Sequence, residues 1–252
     1  MEVNRFFVEF SFNGSGYHGW QRQPNALSVQ QTLEEAFSRL LREQITLVGA
    51  GRTDAGVHAD QMFAHYDSSS APINCEELVF LMNGFLPNDI ALKKISKVHA
   101  QAHARFDATH RSYKYYITTI KDPFRNNVSY YLKNVPDVAL MNQAAKILFE
   151  HEDFQCFSRS NTDVKTFLCK IKEAKWTQEG SSIVFHIVAN RFLRNMVRAI
   201  VGTFLEIGFN KKTLQDLEDI IKSKDRGRAG FSAPAQGLFL SEISYPSKLF
   251  ID

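Results

Sequence analysis

The sequence predicts an α+β fold of two ferredoxin-like halves, each with the element order βαββαβ, an antiparallel sheet and helices on one face of that sheet. Short segments in which apolar residues alternate predict strands, and segments in which they recur every three or four residues predict helices. The same order of strands and helices occurs twice along the 252 residues, although the two halves show no sequence repeat. We therefore expect two domains, 1–108 and 109–252, and a central cleft that holds an active site.

The first half begins with alternating apolar residues from Phe6 to Phe12, which predict a strand that ends in the loop Asn13 to Gly16. A capping-box pattern at Ser28 to Gln31, followed by apolar residues at helical spacing, predicts a helix that reaches Arg42. The later elements of this half are strands at 45–48 and 61–66, a helix that follows Asn74 and extends through Phe85, and a strand at 90–98.

The second half repeats this order of elements. The predicted elements are a strand at 112–120, a helix at 137–150, strands at 168–176 and 182–190, a helix at 192–207 and a strand at 238–245. An additional helix at 213–222 precedes the last strand. The second half therefore has the same type of fold as the first, with one extra helix.

Length and composition indicate a globular protein without a strong charge bias. Hydrophobic residues make up 44% of the chain, which is enough for a sizeable core, and the formal net charge of +3 is too small to identify a polyanionic partner. The longest strictly apolar run, Leu78 to Met82, is too short to span a bilayer, and the N-terminus lacks the apolar segment of a secretion signal. We expect a cytoplasmic protein with no membrane partner.

Neither a metal nor a nucleotide cofactor is expected. The cysteines form no Cys-x-x-Cys pair, and the histidines have no cysteine or acidic partner at a spacing that suits a metal site. Gly14, Gly16 and Gly19 have the spacing of a dinucleotide-binding fingerprint, but the segment from Trp20 to Pro24 cannot open a helix directly after it.

The segment that best indicates chemistry is the glycine-rich loop from Gly49 to Ala59, which contains Arg52 and Asp54. Such a loop can bring its backbone close to a ligand and present a paired acid and base there. The alternative is a tight turn in which Arg52 and Asp54 form an ordinary surface ion pair.

Basic residues in the second half are candidate contacts to phosphates. Arg191, Arg194 and Arg198 follow the spacing i, i+3 and i+7 in the helix predicted after Asn190, which places them on one face. That face is available to phosphates or to a remote carboxylate such as Asp54, or it is simply solvated. The same two alternatives apply to a basic loop with Lys222, Lys224, Arg226 and Arg228.

Tyr113 and Tyr115 share one face of a predicted strand. Their rings form either a platform for an unstacked base or part of the core.

Several segments together resemble the bacterial tRNA pseudouridine synthase A family, over nearly the whole chain. The most specific of them is the run from Gly51 to Ala59, which reads GRTDAGVHA. The other matching segments are 12–21 (FNGSGYHGWQ), 103–106 (HARF) with 111–113 (RSY), 192–198 (FLRNMVR) and 233–238 (APAQGL).

The resemblance implies an isomerase that converts uridine to pseudouridine at positions 38, 39 and 40 of the tRNA anticodon stem-loop. It implies a homodimer that needs no cofactor and no metal. Asp54 falls on the family's catalytic aspartate, which either attacks C1′ covalently or assists elimination at the sugar. Tyr113 falls on the family's active-site tyrosine, which stacks on the target base. Arg198 would pair with the aspartate, and Arg52 would hold the substrate nucleotide out of its stack.

With this resemblance in view, we expect further substrate contacts at His58, Arg105, Arg111, Arg191 and Arg194. Two other functions remain open. A non-catalytic RNA-binding protein with paired ferredoxin-like sheets would hold RNA without needing Arg52 and Asp54 in one loop. A nucleoside or glycoside hydrolase would normally use two carboxylates across the cleaved bond, and no second acid is obviously placed.

Overall fold

The computed structural model describes residues 4–69, 74–159 and 165–251. Within these ranges, five α-helices accompany strands that pair mostly in an antiparallel manner, so the fold mixes helix and sheet as the sequence predicts. The chain forms two compact units, one of Met1–Thr109 with Leu240–Asp252 and one of His110–Phe239. None of the helices in the described ranges combines the length and apolar character that a bilayer crossing requires.

The first unit contains its elements in the predicted order. They are β1 (Asn4–Phe12), α1 (Val29–Leu41), β2 (Val48–Gly49), β3 (His58–Ser68), α2 (Cys75–Phe85) and β4 (Ile90–Val98). Strand β1 pairs antiparallel with both β3 and β4, and β2 pairs with β3. The helix predicted from the capping pattern is confirmed, because the Ser28 side chain accepts a hydrogen bond from the backbone N–H of Gln31.

The strand predicted at 45–48 is wrong for its first three residues, because their backbone groups bond to side chains of α1. The N–H of Ile45 donates to Ser38 Oγ at 2.9 Å, and the N–H of Leu47 donates to Glu34 Oε1 at 2.9 Å. Pairing with β3 begins only at Val48. The segment therefore buries its apolar side chains without forming a ladder.

The second unit also follows the predicted order, with one short strand in addition. Its elements are β5 (His110–Thr118), β6 (Tyr130–Tyr131), α3 (Val138–Ile147), β7 (Ile171–Glu179), β8 (Ser182–Ala189), α4 (Met196–Gly208) and α5 (Leu214–Ser223). Strand β8 pairs antiparallel with both β5 and β7, and β6 pairs parallel with β5. The last strand, β9 (Leu238–Ser244), begins in this unit, and its residues from Leu240 belong to the first.

The core of the second unit lies between its helices and one face of β5, β8 and β7. Tyr115, Phe185 and Trp176 are direct neighbours across these three strands, and all are buried. The Trp176 ring stacks on Phe185 at 4.7 Å, and Phe185 meets Phe204 of α4 edge-on at 5.6 Å. Because side chains alternate along a strand, the residues between these aromatics lie on the opposite face.

Candidate active site

Asp54 lies on the connection between β2 and β3, as predicted, and its side chain is half-buried. The backbone N–H of Val57 donates to the carbonyl of Asp54 at 3.2 Å and closes a tight turn. Gly56 completes the turn with a φ of 76°, in the region that favours glycine. Arg52 is exposed on the same loop, so both side chains reach solvent.

Two glycines of the segment that follows β1 allow this loop to be held by direct backbone contact. A Cβ atom on Gly19, whose φ is 91°, would lie 2.3 Å from the carbonyl oxygen of Thr53. A Cβ atom on Gly14 would lie 2.0 Å from the carbonyl oxygen of Val57. Only glycine fits at these two positions, so the segment lies against the loop on both sides of Asp54.

Hydrogen bonds and an aromatic side chain complete this support. The N–H of Trp20 donates to Thr53 Oγ1 at 3.1 Å, and the N–H of Gly56 donates to the carbonyl of Tyr17 at 3.3 Å. The indole of Trp20 packs so closely on Gly49 that a Cβ there would lie 2.4 Å from the indole nitrogen. The loop is therefore held at Gly49 and Thr53 before Asp54 and at Gly56 after it.

Sequence patterns alone do not predict the supporting role of this segment. The spacing of Gly14, Gly16 and Gly19 resembles a nucleotide-binding pattern, whereas Gly14 and Gly19 pack against another loop. The available signal was a glycine-rich stretch that also contains two large aromatic residues, Tyr17 and Trp20, since such a stretch is suited to packing.

His58 and Tyr17 connect the loop and its supporting segment to the core. His58 is 1% exposed, and its Nδ1 accepts a hydrogen bond from the N–H of Gly14 at 3.0 Å. The Tyr17 hydroxyl donates to Asp89 Oδ1 at 2.7 Å, and burial together with this carboxylate raises the pKa of Tyr17. His58 is predicted as a substrate contact, but its buried imidazole binds the backbone of the supporting segment at Gly14.

Arg105, another predicted RNA contact, is exposed on a loop that buried side chains hold by its backbone. The N–H of Ala104 donates to His65 Nδ1 at 3.2 Å, and the hydroxyl of Tyr245 donates to the Ala104 carbonyl. Arg5 donates to the Ala102 carbonyl at 2.9 Å while it forms a two-point ion pair with Asp67. The guanidinium of Arg105 lies 5.7 Å from the centre of the Phe106 ring.

Burial and positive neighbours make His65 difficult to protonate. Its ring is 4% exposed and lies 4.7 Å from the His103 ring. Desolvation, followed by the charges of Arg5 and His103, lowers the pKa of His65 from 6.5 to about 4. The backbone of Ala104 is therefore held by a neutral imidazole at physiological pH.

In the second unit, Tyr113 and Tyr115 have different environments. Tyr113 is half-buried, and its ring meets Phe192 edge-on at 5.1 Å. Tyr115 is completely buried, and its hydroxyl donates to the carbonyl of Pro234 at 2.8 Å. A platform formed by both rings is therefore excluded, because Tyr115 belongs to the core.

Arg111, at the start of the same strand, donates to the carbonyl of Asn190 at 3.0 Å.

The single basic face predicted for Arg191, Arg194 and Arg198 is wrong, because α4 begins at Met196. Asn195 has a φ of 67°, in the left-handed region, so no α-helix can continue through it from the preceding residues. Its side-chain amide donates to Ser232 Oγ at 2.8 Å. Arg191 and Arg194 therefore lie in the connection before the helix, and only Arg198 is helical.

Arg198 is half-buried in the first turn of α4 and is bound to the segment that precedes β9. Its Nε donates to the carbonyl of Ala233 at 2.6 Å, and the N–H of Ala233 donates back to the carbonyl of Arg198 at 3.0 Å. This pair of bonds fixes the direction of the guanidinium.

Three of the four basic residues between 222 and 228 have partners within their own unit. Lys222 forms an ion pair with Glu218 at 2.6 Å, and Lys224 forms one with Asp153 at 2.7 Å. Arg226 donates to the carbonyl of Gly230 at 3.0 Å. Across the described ranges, no three His, Cys, Asp or Glu side chains cluster as a metal site would require.

Comparison with known proteins places these features in a family context. The family model described as tRNA pseudouridine synthase matches residues 10–107 and 144–246. A protein of Parabacteroides distasonis named tRNA pseudouridine synthase A is 52% identical over 251 residues, which cover 98% of each chain. The proteins of the same name from Bacteroides fragilis and Caldicellulosiruptor bescii are 49% and 36% identical and cover 99% and 96% of the present chain and 100% of their own.

Replacing Gly19 with alanine should loosen the loop that carries Asp54. The new Cβ would clash with the Thr53 carbonyl at 2.3 Å on a backbone with a φ of 91°, so we expect a loss of about 2 kcal/mol in the free energy of unfolding. Amide exchange of residues 53–57 should become faster. Gly16→Ala is the matched control, because its Cβ would meet only Asp89 at an ordinary 3.8 Å. Equal urea-unfolding and exchange data for both variants would contradict this account.

Stability should fall between pH 6.5 and 4 because His65 resists protonation when folded. Its folded pKa of about 4 lies below the ordinary value of 6.5, so the unfolded chain takes up the proton first as the pH falls. The resulting loss is on the order of 2 to 3 kcal/mol. Urea unfolding at several pH values should show a shallower fall for His65→Gln than for the unmodified chain. The exposed His18 provides the control substitution His18→Gln, and identical pH profiles for all three proteins would refute the assignment.

Proposed function

This chain belongs to the tRNA pseudouridine synthase family, and we propose that it converts uridine to pseudouridine at positions 38, 39 and 40 of the tRNA anticodon stem-loop. The enzyme class is that of an isomerase, since substrate and product have the same composition. The observation that supports this best is the half-buried Asp54 on a loop whose backbone is held on both sides by glycine contacts.

The reaction requires one bond to break and another to form at the same sugar carbon. The bond between N1 and C1′ breaks, the uracil turns, C5 bonds to C1′, and the proton on C5 leaves while N1 gains one. Asp54 either attacks C1′ and forms a covalent intermediate or assists elimination at the sugar. Both routes need a carboxylate at a fixed distance from one carbon atom, which is what a restrained loop provides.

We assign the other proposed catalytic residues to separate steps. Arg52, exposed on the loop of Asp54, holds the target nucleotide out of its stack, a displacement that costs a few kcal/mol. Tyr113 stacks on the freed base and handles the proton on C5. Arg198 is the cation that partners the Asp54 carboxylate in this proposal, and its fixed guanidinium suits that role.

The chain then works as two ferredoxin-like halves that divide these tasks. The first half carries the loop of Asp54, and the second half carries Tyr113 and Arg198. The remaining tRNA contacts that we propose come from Arg105, Arg111, Arg191 and Arg194, while His58 acts through the loop that it supports. The active form is a homodimer, and the site of action is the cytoplasm, where tRNA is modified.

Replacing Asp54 with asparagine should abolish the isomerisation while tRNA still binds. Tritium release from tRNA that carries C5-labelled uridine should fall at least about a thousandfold, because the amide can neither attack C1′ nor assist elimination at the sugar. Asp60→Asn changes an exposed aspartate a few residues away and serves as the matched control. If the chain only binds RNA, the protein without any substitution would also release no tritium. Full activity of Asp54→Asn would disprove the role assigned to Asp54.

Replacing Tyr113 with phenylalanine should separate stacking from proton transfer. The ring remains, so tRNA affinity should stay within about twofold, whereas tritium release should fall by roughly a hundredfold. Tyr113→Ala should also weaken binding. Tyr131→Phe removes an exposed hydroxyl elsewhere in the same unit and should change neither measurement. Normal tritium release by Tyr113→Phe would remove the hydroxyl from the mechanism.

A further inference from the structure

Three basic side chains form a row across the sheet of the second unit. Lys114 on β5 is directly opposite His186 on β8, and His186 is directly opposite Lys175 on β7. Neighbouring strands lie about 4.8 Å apart, so the row is about 10 Å long. Lys175 is exposed, and the other two side chains are half-buried.

The row lies on the face of the sheet that the helices leave open. The residues next in sequence, Tyr115, Phe185 and Trp176, form the adjacent cross-strand row, and the last two pack against Phe204 of α4. Since consecutive side chains of a strand point to opposite faces, Lys114, His186 and Lys175 point away from the helical layer.

The His186 ring is held in place by two neighbours. A hydrogen bond of 2.7 Å joins Ser112 Oγ to His186 Nε2, and His186 Nδ1 lies 3.8 Å from Glu173 Oε2. These contacts orient the imidazole between the two lysines.

Lys114 and Lys175 place two positive charges on either side of His186, more than the single Glu173 carboxylate beside the ring offsets. A lysine on an edge strand such as β7 is ordinary, because charge there discourages pairing with other chains. That explanation covers Lys175 but not Lys114 or His186, which lie on inner strands. An anionic partner that lies across the row would offset the remaining positive charge of the two lysines.

We propose that Lys114, His186 and Lys175 bind backbone phosphates of the tRNA substrate. The inference rests on the proposed function, which supplies a polyanion of suitable size. A row of this length faces more than one phosphate group, and contacts of this kind position an RNA without reading its sequence. The row would therefore add affinity for every tRNA substrate alike.

The test compares tRNA binding by charge variants over a range of salt concentrations. Lys114→Ala with Lys175→Ala should weaken binding roughly fivefold or more near physiological salt and should reduce the slope of log K against log salt by about 1.5. His186→Gln should weaken binding less, and Lys175→Glu more than Lys175→Ala. Lys146→Ala, on the exposed side of α3, is the matched control.

Two further measurements keep the test decisive. If the double alanine variant is misfolded by circular dichroism, then Lys175→Glu alone, at an exposed position, decides the outcome. Lys114→Arg with Lys175→Arg should retain binding, because charge rather than packing is required. Unchanged affinity and slope in the folded alanine and glutamate variants would overturn the proposal.

Tritium release by the unmodified protein separates this inference from the proposed function. If the unmodified protein binds tRNA but releases no tritium, the proposed isomerase activity is wrong. The binding data of the row variants would then still decide whether the row binds phosphates. An active enzyme whose row variants bind tRNA normally would disprove the row alone.

Discussion

The position of Asp54 depends on two backbone contacts that any side chain would prevent. Gly14 lies against the carbonyl of Val57 and Gly19 against that of Thr53, so the loop of Asp54 and the segment after β1 pack directly against each other. His58 and Trp20 then connect that segment to the core through a hydrogen bond and a ring that stacks on Phe10 at 5.3 Å. In the role that we propose for Asp54, this restraint would hold the carboxylate at one sugar carbon, because a loose loop would lose the reactive geometry most of the time.

In the second unit, several basic side chains have defined partners within the fold. Arg198 lies in the first turn of α4, where the helix dipole disfavours a cation, and its bond to the carbonyl of Ala233 holds it there. Lys222 and Lys224, by contrast, are matched by carboxylates of their own unit. Basic residues that look alike in sequence thus differ in their partners, which are carboxylates for Lys222 and Lys224 and a backbone carbonyl for Arg198.

The sequence predicted local structure well where one short pattern was sufficient. The capped helix α1 and the strand at 90–98 have the expected positions, because capping and alternation are properties of neighbouring residues. Prediction failed where distant groups decided the backbone. Side chains of α1 bind the N–H groups of Ile45 and Leu47, and Asn195 turns left-handed where Ser232 binds its amide.

By itself, the sequence determined the order of the elements, the loop that carries Asp54 and Arg52, and the family resemblance, since all three are written in contiguous residues. Only the tertiary structure decided that Tyr115 is core while Tyr113 stays half-exposed, and that Gly14 and Gly19 support the loop of Asp54. Only the register of three strands brought Lys114, His186 and Lys175 into one row. The physical reason is that burial and close contact join residues far apart in the chain, and a local pattern does not show which distant residue will become the partner.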